Sequence, residues 1–88
     1  MEGKFDKLKA QLEETSWPQI YFFKFICPAD SQTIALVSSL FDDRSDLNMR
    51  ESRKGNYVSI SVKQVMLNAD AVIEIYKESA KIKGVITL

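Results

Sequence analysis

The chain has 88 residues, of which 45% are hydrophobic and 27% are charged, a composition typical of one compact soluble domain and too apolar for a disordered one. Twelve basic residues balance twelve acidic ones, so no overall field attracts nucleic acid or an anionic membrane. Histidine is absent and Cys27 is the only cysteine, which excludes His-assisted catalysis, a zinc or iron-sulfur cage and an internal disulfide.

The first sixteen residues are predicted to form a helical arm in front of a domain that spans residues 17–88. From Lys4 to Glu14, apolar residues recur at steps of three and four among charged neighbours, which indicates a one-faced helix. The start of the chain lacks the apolar core of a signal peptide, and no run is long enough to cross a bilayer. We therefore expect a cytoplasmic protein with no membrane contact.

The stretch "QIYFFKFIC" is rich in aromatic and β-branched residues and predicts a strand. Its alternation places one set of side chains inward: Tyr21, Phe23, Phe25 and Cys27. A helix capped by Asp30 or Ser31 follows Pro28. Its apolar stripe consists of Ile34, Val37, Leu40 and Phe41.

Two further strands are predicted at Leu47 to Ser52 and at Tyr57 to Val65, joined by "KGN". Glycine and asparagine are the residues that adopt positive φ most readily, so Gly55 and Asn56 predict a two-residue hairpin turn. A second helix begins after the cap Asn68. Its predicted inner face consists of Val72, Ile75, Tyr76 and Ser79. Gly84 is predicted to end this helix before a last strand, "GVITL".

The order strand, helix, strand, strand, helix, strand predicts an α+β fold, the ferredoxin-like plait. In this plait a four-stranded antiparallel sheet carries both helices on one face, here with an extra N-terminal helix. The opposite face is then left open. It is predicted to display Phe22, Lys24, Ile26, Tyr57, Ser59 and Ser61.

Three stretches carry a family resemblance. "WPQIYFFKF", "SRKGNYVSISV" and "IYKESAKI" resemble the opening strand, the central hairpin and the second helix of the YbeD-like family of small bacterial proteins. The resemblance runs from about Leu8 to the C-terminus and departs at Ser79 and Ala80, where that family has a Leu-Gly pair. It implies a ferredoxin-like plait similar to the ACT-type regulatory domains of amino-acid metabolism. The family is often labelled a lipoic acid-binding regulatory protein.

The remaining candidates for chemistry favour structural roles. Cys27 continues the inward series of the first strand, where a free cysteine acts as a small hydrophobe. Asp42, Asp43 and Asp46 lack the length and the glycine of an EF-hand loop. Lys54 lies at a turn, as lipoate-bearing lysines do, but Arg53 and Gly55 are not the flanks typical of such sites. We therefore predict no enzyme activity, no metal and no cofactor.

The basic hairpin is the strongest candidate site. Turn chemistry explains Gly55 but not why basic residues collect around Tyr57 in a chain of zero net charge. Two hypotheses remain open: a solvated hairpin that protects the sheet edge, or a surface that binds an anion or a partner. The predicted binding residues are Lys24, Arg50, Arg53, Lys54, Tyr57 and Ser59.

We expect a regulatory or interaction module that binds a small metabolite or a protein through the open face and this hairpin. A homodimeric adaptor that assembles through its sheet is the alternative. An RNA-binding plait is less favoured, because Asn56 and Val58 occupy the positions where such domains carry stacking aromatics and because the net charge is zero.

Overall fold

A computed structural model describes residues 5–42 and 45–87. Three helices and four strands make up these ranges: α1 (Asp6–Glu13), β1 (Gln19–Pro28), α2 (Ser31–Ser38), β2 (Asp46–Glu51), β3 (Tyr57–Met66), α3 (Ala69–Ala80) and β4 (Ile86–Thr87). The fold is α+β, as predicted. Within the described ranges, no helix is long and apolar enough to cross a membrane.

The four strands form one antiparallel sheet in the order β2-β3-β1-β4. The two central strands, β1 and β3, pair over ten residues each, from Gln19 opposite Met66 to Pro28 opposite Tyr57. The β2 strand pairs along its length with β3, from Asp46 opposite Lys63 to Glu51 opposite Val58, without a bulge. The β4 strand contributes two residues beside β1. The long central strands therefore determine the shape of both sheet faces.

One face of this sheet builds the core. The period-two alternation buries Phe23, Phe25 and Cys27 of β1 as predicted, and it buries Val58, Ile60 and Val62 of β3 opposite them. Val37 of α2 and buried residues of α3 belong to the same cluster. Aromatic rings fill its centre, with Phe23 packing against Tyr21, Phe25, Phe41 and Tyr76.

The α1 helix packs on α3, not on the open face of the sheet. Lys9 Nζ lies 2.9 Å from Asp70 Oδ1, and the Phe5 ring stacks on Tyr76 with centroids 6.3 Å apart. Leu12 reaches the core, and Trp17 Nε1 donates to the Leu12 carbonyl at 2.9 Å. These contacts hold the N-terminal helix on the helical side of the molecule. The division into an arm of residues 1–16 and a domain of residues 17–88 stays a prediction.

The predicted helix caps are present. Asp30 accepts from the Thr33 hydroxyl at 2.8 Å and from the Thr33 N–H at 3.2 Å, and these bonds hold the pKa of the Asp30 carboxyl below its usual value. Asn68 Oδ1 accepts from the Ala71 N–H at 2.8 Å. The polar side chains of Asp30 and Asn68 therefore predicted the starts of α2 and α3 correctly.

Two details of α3 differ from prediction. The helix ends at Ala80, four residues before Gly84, which instead forms a later turn with a φ of +85° beside Pro28. Ile73 is buried although it lies beside the sheet-facing stripe, while Ile75 is only half buried. The reason is that α1 covers a second side of α3, so that Ile73 lines the groove between the two helices with Phe5 and Lys9.

Candidate functional site

The second face of the sheet is not covered by any described helix. The β1 and β3 side chains on this face alternate with the buried ones, and Phe22 is 71% exposed while its neighbour Phe23 is 1% exposed. The six residues predicted for the open face lie here: Phe22, Lys24, Ile26, Tyr57, Ser59 and Ser61. Ile20, Val65 and Ile86 extend its apolar part. The alternation thus predicted the open face correctly.

The hairpin that ends this face is not the two-residue turn expected from "KGN". Five residues, 52–56, separate β2 from β3, and Gly55 N–H donates to the Ser52 carbonyl at 2.9 Å. Among described residues, positive φ occurs only at glycines, so Gly55 adopts it at +75° and Asn56 does not. Ser52 closes the loop, because its hydroxyl accepts from the Tyr57 N–H at 3.1 Å. A serine at the first turn position was the signal that the prediction overlooked.

A hollow of about 360 Å³ lies between this hairpin and the sheet; we call it the hairpin hollow. Its lining residues are Ile26, Arg50, Glu51, Ser52, Arg53, Tyr57 and Ser59. Four of the six predicted site residues therefore come together here, although Arg50 and Tyr57 belong to different strands. Glu51 and Ser52 were not among the predicted binding residues, whereas Ile26, which was predicted for the open face, provides an apolar wall here.

A second hollow, of about 330 Å³, lies farther along the open face; we call it the Phe22 hollow. Its lining residues are Phe22, Phe23, Lys24, Asp46, Asn48, Ser61, Val62 and Lys63. Lys24 belongs to this hollow and not to the hairpin hollow, and Lys54 lines neither one. The six predicted residues are therefore divided into a group of four in the hairpin hollow, Lys24 in the Phe22 hollow, and the exposed Lys54 of the turn, which lines neither.

The two hollows differ in whether their basic side chains lie near a carboxylate. In the Phe22 hollow, Lys63 Nζ lies 3.9 Å from Asp46 Oδ2 and 6.0 Å from the centre of the Phe22 ring. In the hairpin hollow, no described carboxylate lies within ion-pair distance of Arg50 or Arg53. Those two guanidinium groups therefore keep their hydrogen-bonding capacity for an external acceptor.

The buried face offers no matching chemistry. Burial raises the pKa of the Cys27 thiol, which disfavours the thiolate that nucleophilic attack requires. Burial, assisted by the hydrogen bond with Tyr21 at 3.0 Å, raises the pKa of Tyr76 far above that of a free tyrosine. In residues 5–42 and 45–87, no group of three His, Cys, Asp or Glu side chains is placed to hold a metal ion. Asp43 of the predicted acidic cluster lies outside these ranges.

Comparison with curated proteins found no match, and comparison with solved structures found none either. One family profile does match, and it covers residues 13–88, from the end of α1 through the whole sheet. The match includes the hairpin, both hollows and every residue of the predicted site. On this evidence the chain belongs to the family described as "Protein of unknown function (DUF493)".

Proposed function

We propose that the protein is a non-enzymatic binding module whose hairpin hollow takes a small organic anion. The observation that carries this proposal is the convergence of two guanidinium groups, Arg50 and Arg53, beside the half-exposed ring of Tyr57. Neither group has an ion-pair partner in the part of the chain that the structure describes. A carboxylate or phosphate accepts paired hydrogen bonds from such groups, and a flat organic group stacks on the ring.

The distribution of charge supports an anionic ligand. The sheet and its hairpin carry five basic residues, Lys24, Arg50, Arg53, Lys54 and Lys63, against two acidic ones, Asp46 and Glu51. Because the whole chain has a formal charge of zero, this region has an excess of three positive charges and the rest of the chain the opposite excess. A neutral protein thus presents a locally positive face, which favours the approach of anions.

The size and polarity of the hollow agree with a small molecule. Its volume of about 360 Å³ lies at the lower end of the range for ligand sites. Ile26 offers an apolar contact, and the hydroxyls of Ser52 and Ser59 add polar groups near the two arginines. Glu51 also lines the hollow, so a ligand that bears a hydrogen-bond donor next to its acid group fits better than a simple anion.

The finer structural class forms part of this proposal. The strand order β2-β3-β1-β4, with all neighbours antiparallel, supports a ferredoxin-like plait with ACT-like similarity. Membership of DUF493 is consistent with the YbeD-like resemblance. From these likenesses we propose a regulatory role in the cytoplasm, in which the bound metabolite changes the binding of the protein to a partner.

A protein partner is the second candidate, favoured by the apolar end of the open face. Ile20 lies opposite Val65 in the sheet, and Phe22 follows on the same face, so that three exposed apolar side chains adjoin. Such a cluster is typical of a contact surface. It lies at the opposite end of β1 from the hairpin hollow, so a partner and a small anion do not compete for the same residues.

The anion proposal is tested with benzoate and benzamide, which share shape and aromatic ring but differ in charge. We expect benzoate to shift the backbone amide NMR signals of Arg50, Arg53, Tyr57 and Ser59, and benzamide to leave them unchanged. The shifts should weaken as salt is raised, because exposed ionic contacts are screened. Equal responses to both compounds, or shifts confined to the Phe22 hollow, would contradict the proposal.

The hairpin offers a matched pair of variants for this titration. Arg53→Ser and Lys54→Ser remove the same charge from adjacent positions, but only Arg53 lines the hollow. We expect Arg53→Ser to abolish the benzoate response and Lys54→Ser to preserve most of it. Equal losses in both variants would show that the hairpin attracts anions only through its summed charge.

A short single-stranded RNA serves as a competing probe. Shifts of the Phe22 and Tyr57 signals with RNA, but not with benzoate, would favour the nucleic-acid alternative.

A further inference from the structure

The outer edge of β2 is unpaired within the described residues. The strand order places β2 at the end of the sheet, where β3 is its only described neighbour. Its six residues run without a bulge and contain neither proline nor lysine, two residues that proteins use to block an edge. This edge is a template for another strand.

The register shows which backbone groups face outward. Ser52 N–H donates to the Tyr57 carbonyl at 2.8 Å, so these two residues form a hydrogen-bonded pair of the antiparallel ladder. Such pairs alternate along the ladder, and the backbones of Arg50, Asn48 and Asp46 therefore also bond to β3. The backbone groups of Leu47, Met49 and Glu51 point to the free edge.

The β3 strand gives an independent check of this alternation. Ala29 N–H donates to the Asn56 carbonyl at 3.0 Å, next to the pair Pro28 and Tyr57 of the β1–β3 ladder. Hydrogen-bonded pairs alternate along the ladder from this bond onward. The backbone N–H and C=O groups of Val58, and of every second residue after it, therefore point to β1. The backbone groups of the residues between them, such as Ser59 and Ser61, point to β2. This agrees with their hydrogen-bonded pairing with Arg50 and Asn48.

The sequence of this edge is complementary to itself. Two copies of β2 placed antiparallel about Asn48 put Asp46 of each copy opposite Arg50 of the other, on the open-face side. On the helix side, Leu47 of each copy lies opposite Met49 of the other, and both are residues whose backbone groups face the edge. Opposite charges and apolar pairs are the combinations that stabilise facing strands. In the same alignment the charged pairs fall at non-hydrogen-bonded positions, where side chains lie closest.

We propose that two copies of the protein associate through their β2 edges, antiparallel and centred on Asn48, into a continuous eight-stranded sheet. In this dimer the two open faces form one surface, with the helices of both copies on its other side. Asp46 keeps its loose, exposed contact with Lys63 and gains Arg50 of the second copy. The two proposals share Arg50, which faces Asp46 of the second copy in the dimer, whereas Arg53 and Tyr57 of the hairpin hollow lie outside the paired segment. Cross-linking at Asn48, which does not line the hairpin hollow, therefore tests the dimer separately from anion binding.

Cysteine cross-linking tests the register. The variant Asn48→Cys brings two thiols together, because facing Cα atoms at a non-hydrogen-bonded pair lie about 4.5 Å apart, within the range a disulfide spans. The variant Glu51→Cys on the same strand is the control, since its thiols lie six residues out of register, roughly 20 Å apart at about 3.4 Å per residue. In a glutathione redox buffer we expect covalent dimers from Asn48→Cys only, while buried Cys27 stays free.

A charge exchange tests the pairing without any covalent bond. Asp46→Lys and Arg50→Asp each place two like-charged pairs in the dimer, and we expect each to weaken self-association about tenfold or more. Mixed together, the two variants restore both opposite-charge pairs and should form a heterodimer of near wild-type affinity. Sedimentation analysis of the two variants, separately and mixed, measures this.

Four results would overturn the dimer. The first is a wild-type protein that stays monomeric up to millimolar concentration. The second is an Asn48→Cys variant that cross-links no more than Glu51→Cys. The third is a disulfide through Phe22→Cys, because β1 lies two strands from the free edge and its thiols meet only in a face-to-face dimer. Failure of the mixed charge variants to associate would also contradict the proposed pairing.

Discussion

The two faces of the sheet are built from the same strands but differ in exposure, polarity and charge. Adjacent residues of β1 show this most directly: Phe23 contacts four aromatic rings in the core, whereas Phe22 projects from the open face beside one lysine. The covered face is mainly apolar, and its few polar groups include the Tyr21–Tyr76 hydroxyl pair and the buried Gln64 Oε1. The open face and its hairpin carry five basic residues, and most of them have no ion-pair partner among the described residues.

This difference separates what holds the protein together from what it offers to other molecules. Hydrophobic burial scales with apolar area removed from water, so the covered face accounts for most of the stability. Exposed residues away from caps and cores contribute little to stability, so their identities are open to selection for binding. Variants on the two faces should therefore change different measurements.

The largest effect is expected from truncating a core ring. Phe23→Ala removes a fully buried aromatic side chain and should lower the free energy of unfolding by about 3 to 5 kcal/mol. Phe22→Ala, one residue along the chain, should change it by no more than about 0.5 kcal/mol. Urea denaturation of both variants measures the contrast, and a large loss for Phe22→Ala would mean that the open face is covered in solution.

The next effect concerns the hairpin that terminates the open face. Gly55→Val places a β-branched side chain at a φ of +75° and should cost about 1 to 2 kcal/mol. Gly55→Asn is the control, because asparagine tolerates this conformation better than other residues with a Cβ. Equal melting temperatures for the valine, asparagine and wild-type proteins would contradict the observed turn.

Alkaline pH should lower the free energy of unfolding through a tyrosine on the covered face. Burial and the hydrogen bond with Tyr21 raise the pKa of Tyr76 in the folded protein above its unfolded value of about 10. The folded state then binds more protons than the unfolded state above pH 10, so stability falls there, by at most about 1.4 kcal/mol per pH unit for this one group. Urea unfolding from pH 9 to pH 11.5 measures the slope. Tyr76→Phe should make it shallower, and an unchanged slope in that variant would contradict the assignment.

The smallest effect on stability is expected at the basic tip. Changing Arg53 and Lys54 together to Ser should alter the free energy of unfolding by no more than about 0.5 kcal/mol, because neither residue has an ion-pair partner among the described residues. Binding of benzoate should nevertheless be lost. A double variant that unfolds as readily as Phe23→Ala would show that the hairpin is part of the core structure.

Much of this contrast between faces was predictable from the sequence. Strand side chains alternate with a period of two, so one buried residue determines which neighbours lie on the open face, and Phe22 and Lys24 follow from Phe23. The helix caps Asp30 and Asn68 were predictable because a short polar side chain in that position satisfies backbone donors locally.

One error occurred where distant parts of the chain come into contact. Ile73 is buried by α1, more than sixty positions earlier in the sequence, and no local pattern of α3 reveals that contact. A second error concerns the hairpin loop, which Ser52 closes through its hydroxyl, an acceptor from the Tyr57 N–H, and through its carbonyl, an acceptor from the Gly55 N–H. Lys54 of this loop does not line the hairpin hollow. Charge along the sequence predicted a basic tip but not which of its side chains line a cavity.

The central claim, that the sheet has one core face and one free binding face, is tested most directly by hydroxyl-radical footprinting read by mass spectrometry. Two matched pairs of aromatic residues report on it: Phe22 against Phe23, and Tyr57 against Tyr76. In dilute protein we predict rapid oxidation of Phe22 and Tyr57 and protection of Phe23 and Tyr76, in line with their exposures. Protection of Phe22 and Tyr57 to the same degree as their buried counterparts would contradict the claim.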